Sequence, residues 1–389
     1  MPNIHDYLAW RGDVPFSASP FNEVDALVLS EMVYSDFSGI IREGETRVPI
    51  TQARQRFWKL HTKEELLAVA SFTKQAPFLL DAVADSARFG KTEIGWFLDE
   101  FDTKADLQLA ALTFFLEDGT AFVAFRGTDT TVAGWKEDFN LSYQPETEGQ
   151  RRAAAYLDTH FSGSDIPLRV GGHSKGGNLA MFAAVKACES VRQRILAVYN
   201  NDGPGFLDGF MQSDAYQEML PRITCIVPEG SIIGTLLSNK AYRLVVKSTA
   251  FGIMQHDGFS WQVLGPRFVE AEKRSENSVL VEQTMRQWLS GKTDEDRRLF
   301  VNLLFSLFEA TGKETFTEIL QEKGKSLSSM YKMLETMPKE QRVAVWGMLN
   351  GLVITGSEKL YQNTKRGLRQ LLENIAARER EKKQEEPTS

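Results

Sequence analysis

Cysteine is scarce in this chain. Two cysteines, Cys188 and Cys225, occur among 389 residues, too few for a disulfide framework, which favours a reducing compartment. The first residues, MPNIHDYLAWRGDVPF, lack a basic segment followed by an apolar run. No secretory signal is therefore expected, and the cytoplasm is the default location. One uncharged apolar run, Val343–Ser357, is shorter than a bilayer span and contains Asn350 and Thr355, so it reads as a buried helix rather than an integral membrane segment. Basic residues do not dominate either. The formal net charge is −7 and no basic stripe occurs, which argues against a nucleic-acid partner. No cofactor and no metal is expected. Histidine is rare, with five in all, and that rarity becomes useful below.

What is present is ordinary for a globular protein: 42% hydrophobic and 25% charged residues. The length allows one large α/β domain with an appendage, or two domains. Residues 1–20 read as an irregular leading segment. Val24, Leu27, Val28, Met32 and Val33 recur at helical spacing between Asn22 and Phe37, and further helices are expected around Lys63–Phe72 and Ala76–Phe89. Leu107–Leu116 and Thr120–Phe125 are strand-like and flank Asp118-Gly119, a hairpin signal. After a polar stretch to about Gln150 and a helix near Arg151–His160, the strands Ile166–Val170, Ile195–Tyr199, Ile223–Val227 and Tyr242–Val246 follow. Strands alternating with helices imply a mostly parallel central sheet flanked by helices, with function at the carboxyl ends of the strands. From about Ala271 the pattern is helical: Val279–Leu289, Glu295–Ala310, Lys313–Gln321, Leu327–Met337 and Lys339–Leu352. The charged tail Arg378–Glu386 reads as a solvated helix end or disorder.

The chemistry gathers at Gly172-His173-Ser174-Lys175-Gly176. A strand runs into it and a helical pattern, Asn178–Val185, leaves it, which is the setting of a nucleophile elbow. A serine on so sharp a turn needs small neighbours, because strand and helix crowd together there. The helix N-terminus adds partial positive charge where an oxyanion would form. The bland alternative is a glycine-rich turn with an incidental serine. If Ser174 is a nucleophile it needs a base, an acid and an oxyanion hole. His256 is the only histidine after Ser174 and follows a predicted strand, so it is the candidate base. Two carboxylates at strand ends lie between them. Asp202, held in Asn-Asn-Asp-Gly-Pro-Gly, is preferred as the acid, with Glu229 the alternative; Asp208 and Asp257 are weaker. The oxyanion donors expected are the N–H of Lys175 and a group from Phe125-Arg126-Gly127-Thr128, with Thr128 offering its N–H and hydroxyl.

The run AFVAFRGTDTTVAGWKEDFN (Ala121–Asn140) resembles the signature of the class 3 (fungal-type) lipases, a strand into F-R-G-[ST] followed by W-x-x-D. GGHSKGGNLA resembles the elbow of the same family. With VYNNDGPGF and QHDGFSW, the chain also looks like a bacterial branch of that superfamily, the Mbeg-like proteins. The lipase resemblance covers about residues 20–265. It implies an α/β-hydrolase fold over 1–270 and leaves a helical C-terminal region, 271–389. It also implies Ser174 as nucleophile, Thr128 and Lys175 as oxyanion donors, and His256 as base. The segment after F-R-G-[ST] is a lid in those lipases; here it is Thr130–Phe139, with Val132, Trp135 and Phe139 as lid apolar residues or as ordinary core packing.

Two departures from the lipase pattern stand out. The lipases place their acid after the next strand, where this chain has VPEGSIIG. Either Glu229 replaces that acid, or Asp202 takes the role from the neighbouring strand end. Lys175 stands where the lipases carry leucine. It either favours an anionic substrate or, the preferred reading, faces solvent.

The activity expected is a serine hydrolase cleaving a carboxylic ester, on a small-molecule or lipid substrate, through an acyl-enzyme. A peptidase or acyltransferase would use the same machinery. The contrasting expectation is a catalytically silent hydrolase-fold scaffold. Its helical C-terminal region would bind a protein partner or support self-association.

Overall fold

The computed structural model describes residues 1–68, 73–102, 107–128, 132–290 and 292–313, with Glu318 and Ser329. Eight strands form one sheet in unbroken chain order. They are β1 (Arg47–Pro49), β2 (Glu93–Asp102), β3 (Leu107–Phe115), β4 (Ala121–Phe125), β5 (Leu168–His173), β6 (Ile195–Asn201), β7 (Ile223–Pro228) and β8 (Tyr242–Val246). The first four pair antiparallel, and β4 through β8 pair parallel.

Both faces of the sheet are covered, as parallel strands require. Period-2 alternation makes this visible in β4. Phe122 and Ala124 enter one core, with Val24, Leu27, Val28 and Phe57, while Ala121, Val123 and Phe125 enter the other, with Tyr156, Leu179 and Phe182. The first core is capped by α1 (Ile4–Arg11), α2 (Glu23–Met32), α3 (Ile50–Leu60), α4 (Lys63–Ala68) and α5 (Ala76–Asp85). On the other side lie α6 (Val132–Asn140), α7 (Glu148–Phe161) and α8 (Lys175–Lys186), followed by the short α9 (Glu189–Arg192), α10 (Asp208–Met211) and α11 (Asp214–Met219). Two further helices follow, α12 (Glu276–Ser290) and α13 (Asp294–Glu309).

The hairpin around Asp118-Gly119 and the parallel strands agree with the sequence expectation. Several features differ. Residues 1–20 are not wholly irregular: α1 starts with a capping box in which Asn3 and Asp6 satisfy each other's backbone N–H groups. Asp25 then receives Tyr7 at 2.7 Å and the guanidinium of Arg88, with both charges fully buried. Arg88 also donates to the carbonyls of Val14, Ser19 and Pro20, so this cation ties down the second half of the leading segment, while Asn3 donates to Phe259 O and Pro2 O accepts from Val263 N–H at its start. Strand β2 was not expected. It carries Asp99, Glu100 and Asp102, and a bulge between Gly95 and Leu98 shifts its register. Trp96 at the bulge has φ +55, so no clean alternation survives. Helices α3 and α6 also lie where no helix was expected. The helices expected beyond residue 313 and the run Val343–Ser357 fall outside the described residues. Among those described, no helix is long and apolar enough to cross a membrane.

Candidate active site

Strand β5 ends at His173 and α8 begins at Lys175, which leaves Ser174 alone on the corner with φ +58 and ψ −133. A non-glycine residue held there costs about 1–3 kcal/mol, a strain concentrated at functional sites. Two bonds hold the corner: Ser174 N–H donates to Asn201 O (2.9 Å), and Gly177 N–H donates to Ser174 O (2.9 Å). The flanking glycines are required by space. A Cβ on Gly172 would lie 2.3 Å from the carbonyl of Gly176, and one on Gly176 would lie 2.0 Å from Phe125 O.

Asp202 follows β6 and also sits in the left-handed region, with φ +53. Its N–H continues the ladder to Ile226 O, and its side chain is buried. Oδ2 meets His256 Nδ1 at 2.7 Å. Oδ1 accepts from the Ser231 hydroxyl and from Gly234 N–H at 3.2 Å. With a carboxylate as acceptor, His256 carries its proton on Nδ1, and the Nε2 lone pair is the one able to take a proton. His256 ends a 3₁₀ turn, Gly252–His256, whose neighbour Phe251 is 77% exposed and whose Met254 is 41% exposed.

The other carboxylates point elsewhere. Glu229 lines a charged groove with Lys247, Glu270 and Lys273, and its backbone is tied to Val246 and Ser275. Asp208 opens α10. Asp257 caps its own turn through Phe259 N–H, and burial raises it to about 6. Ser231 escaped sequence reading because Pro-Glu-Gly-Ser looks like an ordinary turn. The hydroxyl lies at the end of β7, next to the strand carrying Asp202, and that adjacency was the available signal. Its carbonyl is held in turn by the buried Ser278 of α12 (2.5 Å).

Gly127 follows β4 and lies against the elbow: a Cβ there would meet Tyr34 Oη at 2.2 Å, His173 O at 2.4 Å and Ser174 Cβ at 2.9 Å. Thr128 comes next, and its hydroxyl donates to Asp138 Oδ2 on α6 (2.9 Å). Burial raises Asp138 to about 7, against the opposing pull of Lys175 and the Thr128 hydroxyl. Lys175 is the first residue of α8, so its N–H lies ahead of the helical ladder.

The side chain of Lys175 overturns the solvent reading. It is 1% exposed. Nζ donates to Gln108 O at 2.8 Å and pairs with Glu137 Oε2 of α6 at 2.5 Å. A buried ammonium needs a partner, and that partner lies 38 residues away in sequence. The charge therefore balances an internal carboxylate, which also weighs against the anionic-substrate reading. Phe139 of α6 packs on Phe305 of α13 with centroids 5.4 Å apart.

A sheet parallel from β4 onward, covered on both faces, with a strained serine at the β5–α8 corner, defines an α/β-hydrolase fold. Within that class the chain belongs to the Mbeg1-like family, whose model matches residues 83–306, more than half of the chain. Among solved structures the chain is similar to the M37 lipase, with 17% identity and TM-score 0.33 over 56% of this chain and 70% of that one. It is also similar to the native Rhizomucor miehei lipase–propeptide complex, with 16% identity and TM-score 0.34 over 49% of this chain and 68% of that one. Among curated proteins, none matches.

Proposed function

We propose that this protein is a serine hydrolase of carboxylic esters, with Ser174 as nucleophile, His256 as base and Asp202 as the acid that orients it. The observation that carries this reading is the His256 Nδ1–Asp202 Oδ2 contact of 2.7 Å, made by a buried carboxylate beside the strained elbow. In this reading Ser174 Oγ attacks the ester carbonyl as His256 Nε2 takes its proton. The tetrahedral oxyanion is held by the N–H groups of Lys175 and Thr128. His256 then protonates the leaving alcohol, an acyl-enzyme remains, and water activated by His256 releases the acid. Phe251 and Met254 supply apolar surface beside the base, which suits an apolar acyl or alkyl group. In the same reading α6 and α13 form a cover over the acyl side, supported by the Phe139–Phe305 contact and by Arg297 donating to Ser142 O at 3.1 Å.

A fluorophosphonate probe tests the assignment. Wild type is expected to label, and Ser174→Ala to remain blank. His256→Ala should label at least about 10³-fold more slowly, as the members of such triads act as a unit. A folded wild-type protein that never labels would sink the hydrolase reading in favour of a silent scaffold. For the acid, Asp202→Asn should lower ester turnover about 10⁴-fold and Glu229→Gln hardly at all; the reverse order would assign the acid to Glu229.

A further inference from the structure

A second histidine stands behind the proposed base. His173, in the elbow itself, is 4% exposed, and its ring lies 4.7 Å from that of His256. Its Nε2 is 2.7 Å from the main-chain carbonyl of His256. A carbonyl carries no hydrogen, so a proton belongs to His173 Nε2, and in the neutral ring the lone pair lies on Nδ1. Two groups face that lone pair, both from the C-terminal end of α2 and the residues that follow it: Tyr34 Oη at 3.3 Å and Glu31 Oε1 at 3.4 Å. The tyrosine hydroxyl is divided, since it lies equally 3.3 Å from His173 O. Glu31 is 1% exposed, and it abuts the chain just after the base-bearing turn: a Cβ on Gly258 would come within 2.6 Å of Oε1.

We propose that Glu31, as a neutral carboxylic acid, and His173 form a positioning pair that fixes the His256-bearing turn against the elbow. This rests on the reading of His256 as base and adds what sets its distance from Ser174. The electrostatics agree. Burial raises Glu31 well above the usual carboxylate range, with Asp257 adding to the shift. Burial likewise pushes His173 well below the usual imidazole range, with His256 adding to the effect. Tyr34, also buried, is raised and feels Glu31, Arg126 and Asp138. Both shifts favour the uncharged forms, and an uncharged donor and acceptor can share one proton in a buried site at little desolvation cost. The requirement is steric. The 3₁₀ turn has solvent on its outer side, at Phe251; on its inner side Trp261 Nε1 donates to Gln255 O at 2.8 Å, and the His173 ring holds the carbonyl of His256 itself. A displacement of about 1 Å at such a site costs up to about 10²-fold in rate.

The test uses the full chain with nitrogen-15-labelled histidine. His173 is expected to carry its proton on Nε2 and to stay neutral where an ordinary imidazole titrates. A ring protonated at Nδ1, or one titrating near the ordinary imidazole value, would overturn the pair. Rates of fluorophosphonate reaction at Ser174 give the second readout. Glu31→Gln, whose amide still donates to Nδ1, should stay within about threefold of wild type, whereas Glu31→Ala should fall about tenfold. His173→Gln, which keeps a donor for the His256 carbonyl, should exceed His173→Ala by about tenfold. Equal losses in Glu31→Gln and Glu31→Ala, with unchanged urea midpoints, would show that a carboxylate charge is needed and would refute the neutral pair. The ring-proton measurement needs no turnover. A silent wild-type protein therefore counts against the hydrolase reading, and a wrong tautomer counts against the pair.

Discussion

Lys175 shows what one side chain can hide. Its main chain was legible in the sequence, because any residue after an elbow serine presents its N–H at a helix start. Its ammonium was not, because its burial depends on Glu137, contributed by α6. Removing one member of a buried ion pair leaves the other charge stranded, at about 3–5 kcal/mol, whereas replacing both with apolar groups is nearly neutral. Lys175→Met should therefore lower stability by that amount, and Lys175→Met with Glu137→Met should recover most of it. Urea unfolding of the two variants decides; an unchanged midpoint in the single variant would mean that the pair carries no weight. Glu31 was hidden for a related reason. Leu27 and Glu31 lie on one face of α2, and a charge on an apolar stripe was a visible anomaly. Its meaning needed His173, which is distant in sequence.

At the scale of elements, the parallel half of the sheet was readable from strand–helix alternation. Strand β2 was not, because its acidic residues and the Trp96 bulge remove the period that identifies a strand. Helix α6 was hidden within a polar stretch, yet it carries Glu137 and Asp138 to the two candidate oxyanion residues. Asp138 gives α6 a pH dependence whose sign can be worked out. Its folded value, about 7, is raised above the ordinary 3.8 by burial. The folded state thus holds the proton more tightly than the unfolded chain does. The stability this contributes is complete below about pH 4 and is lost as pH rises through about 7. Asp138→Asn has no such proton to lose. Its stability relative to wild type should therefore grow between about pH 4 and 7, by up to about 4 kcal/mol. Urea unfolding of both proteins at about pH 5 and pH 8 measures this; a difference that does not change with pH would contradict it.

For the molecule as a whole, the decisive fastening is one the sequence did not announce. Arg88 and Asp25 are both fully buried, and Arg88 reaches three carbonyls of the first twenty residues. Arg88→Leu would strand the Asp25 carboxylate and release the leading segment. The expected loss is about 3–5 kcal/mol, accompanied by proteolytic cleavage within residues 1–20 under conditions that leave wild type intact. Retention of the segment in Arg88→Leu would show that apolar packing of Tyr7 and Leu8 suffices. A class defined by an elbow can be read from five residues; a fastening made by one guanidinium cannot, since its ligands lie 63 to 74 positions away in the sequence.

The unbroken order of the sheet, β1 through β8, also bears on how the protein is made. Each strand pairs with the one synthesised before it, so no strand has to wait for a distant segment or be threaded between two others. A chain leaving the ribosome can add to the sheet edge one strand at a time, in the N-to-C order in which domains emerge. Ser174 is laid down after the fifth of the eight strands, Asp202 after the sixth, and His256 only after the eighth. In the proposed triad, a nascent chain would then carry its serine without its base until the sheet is complete, and reactivity would begin only when the fold that contains it is finished.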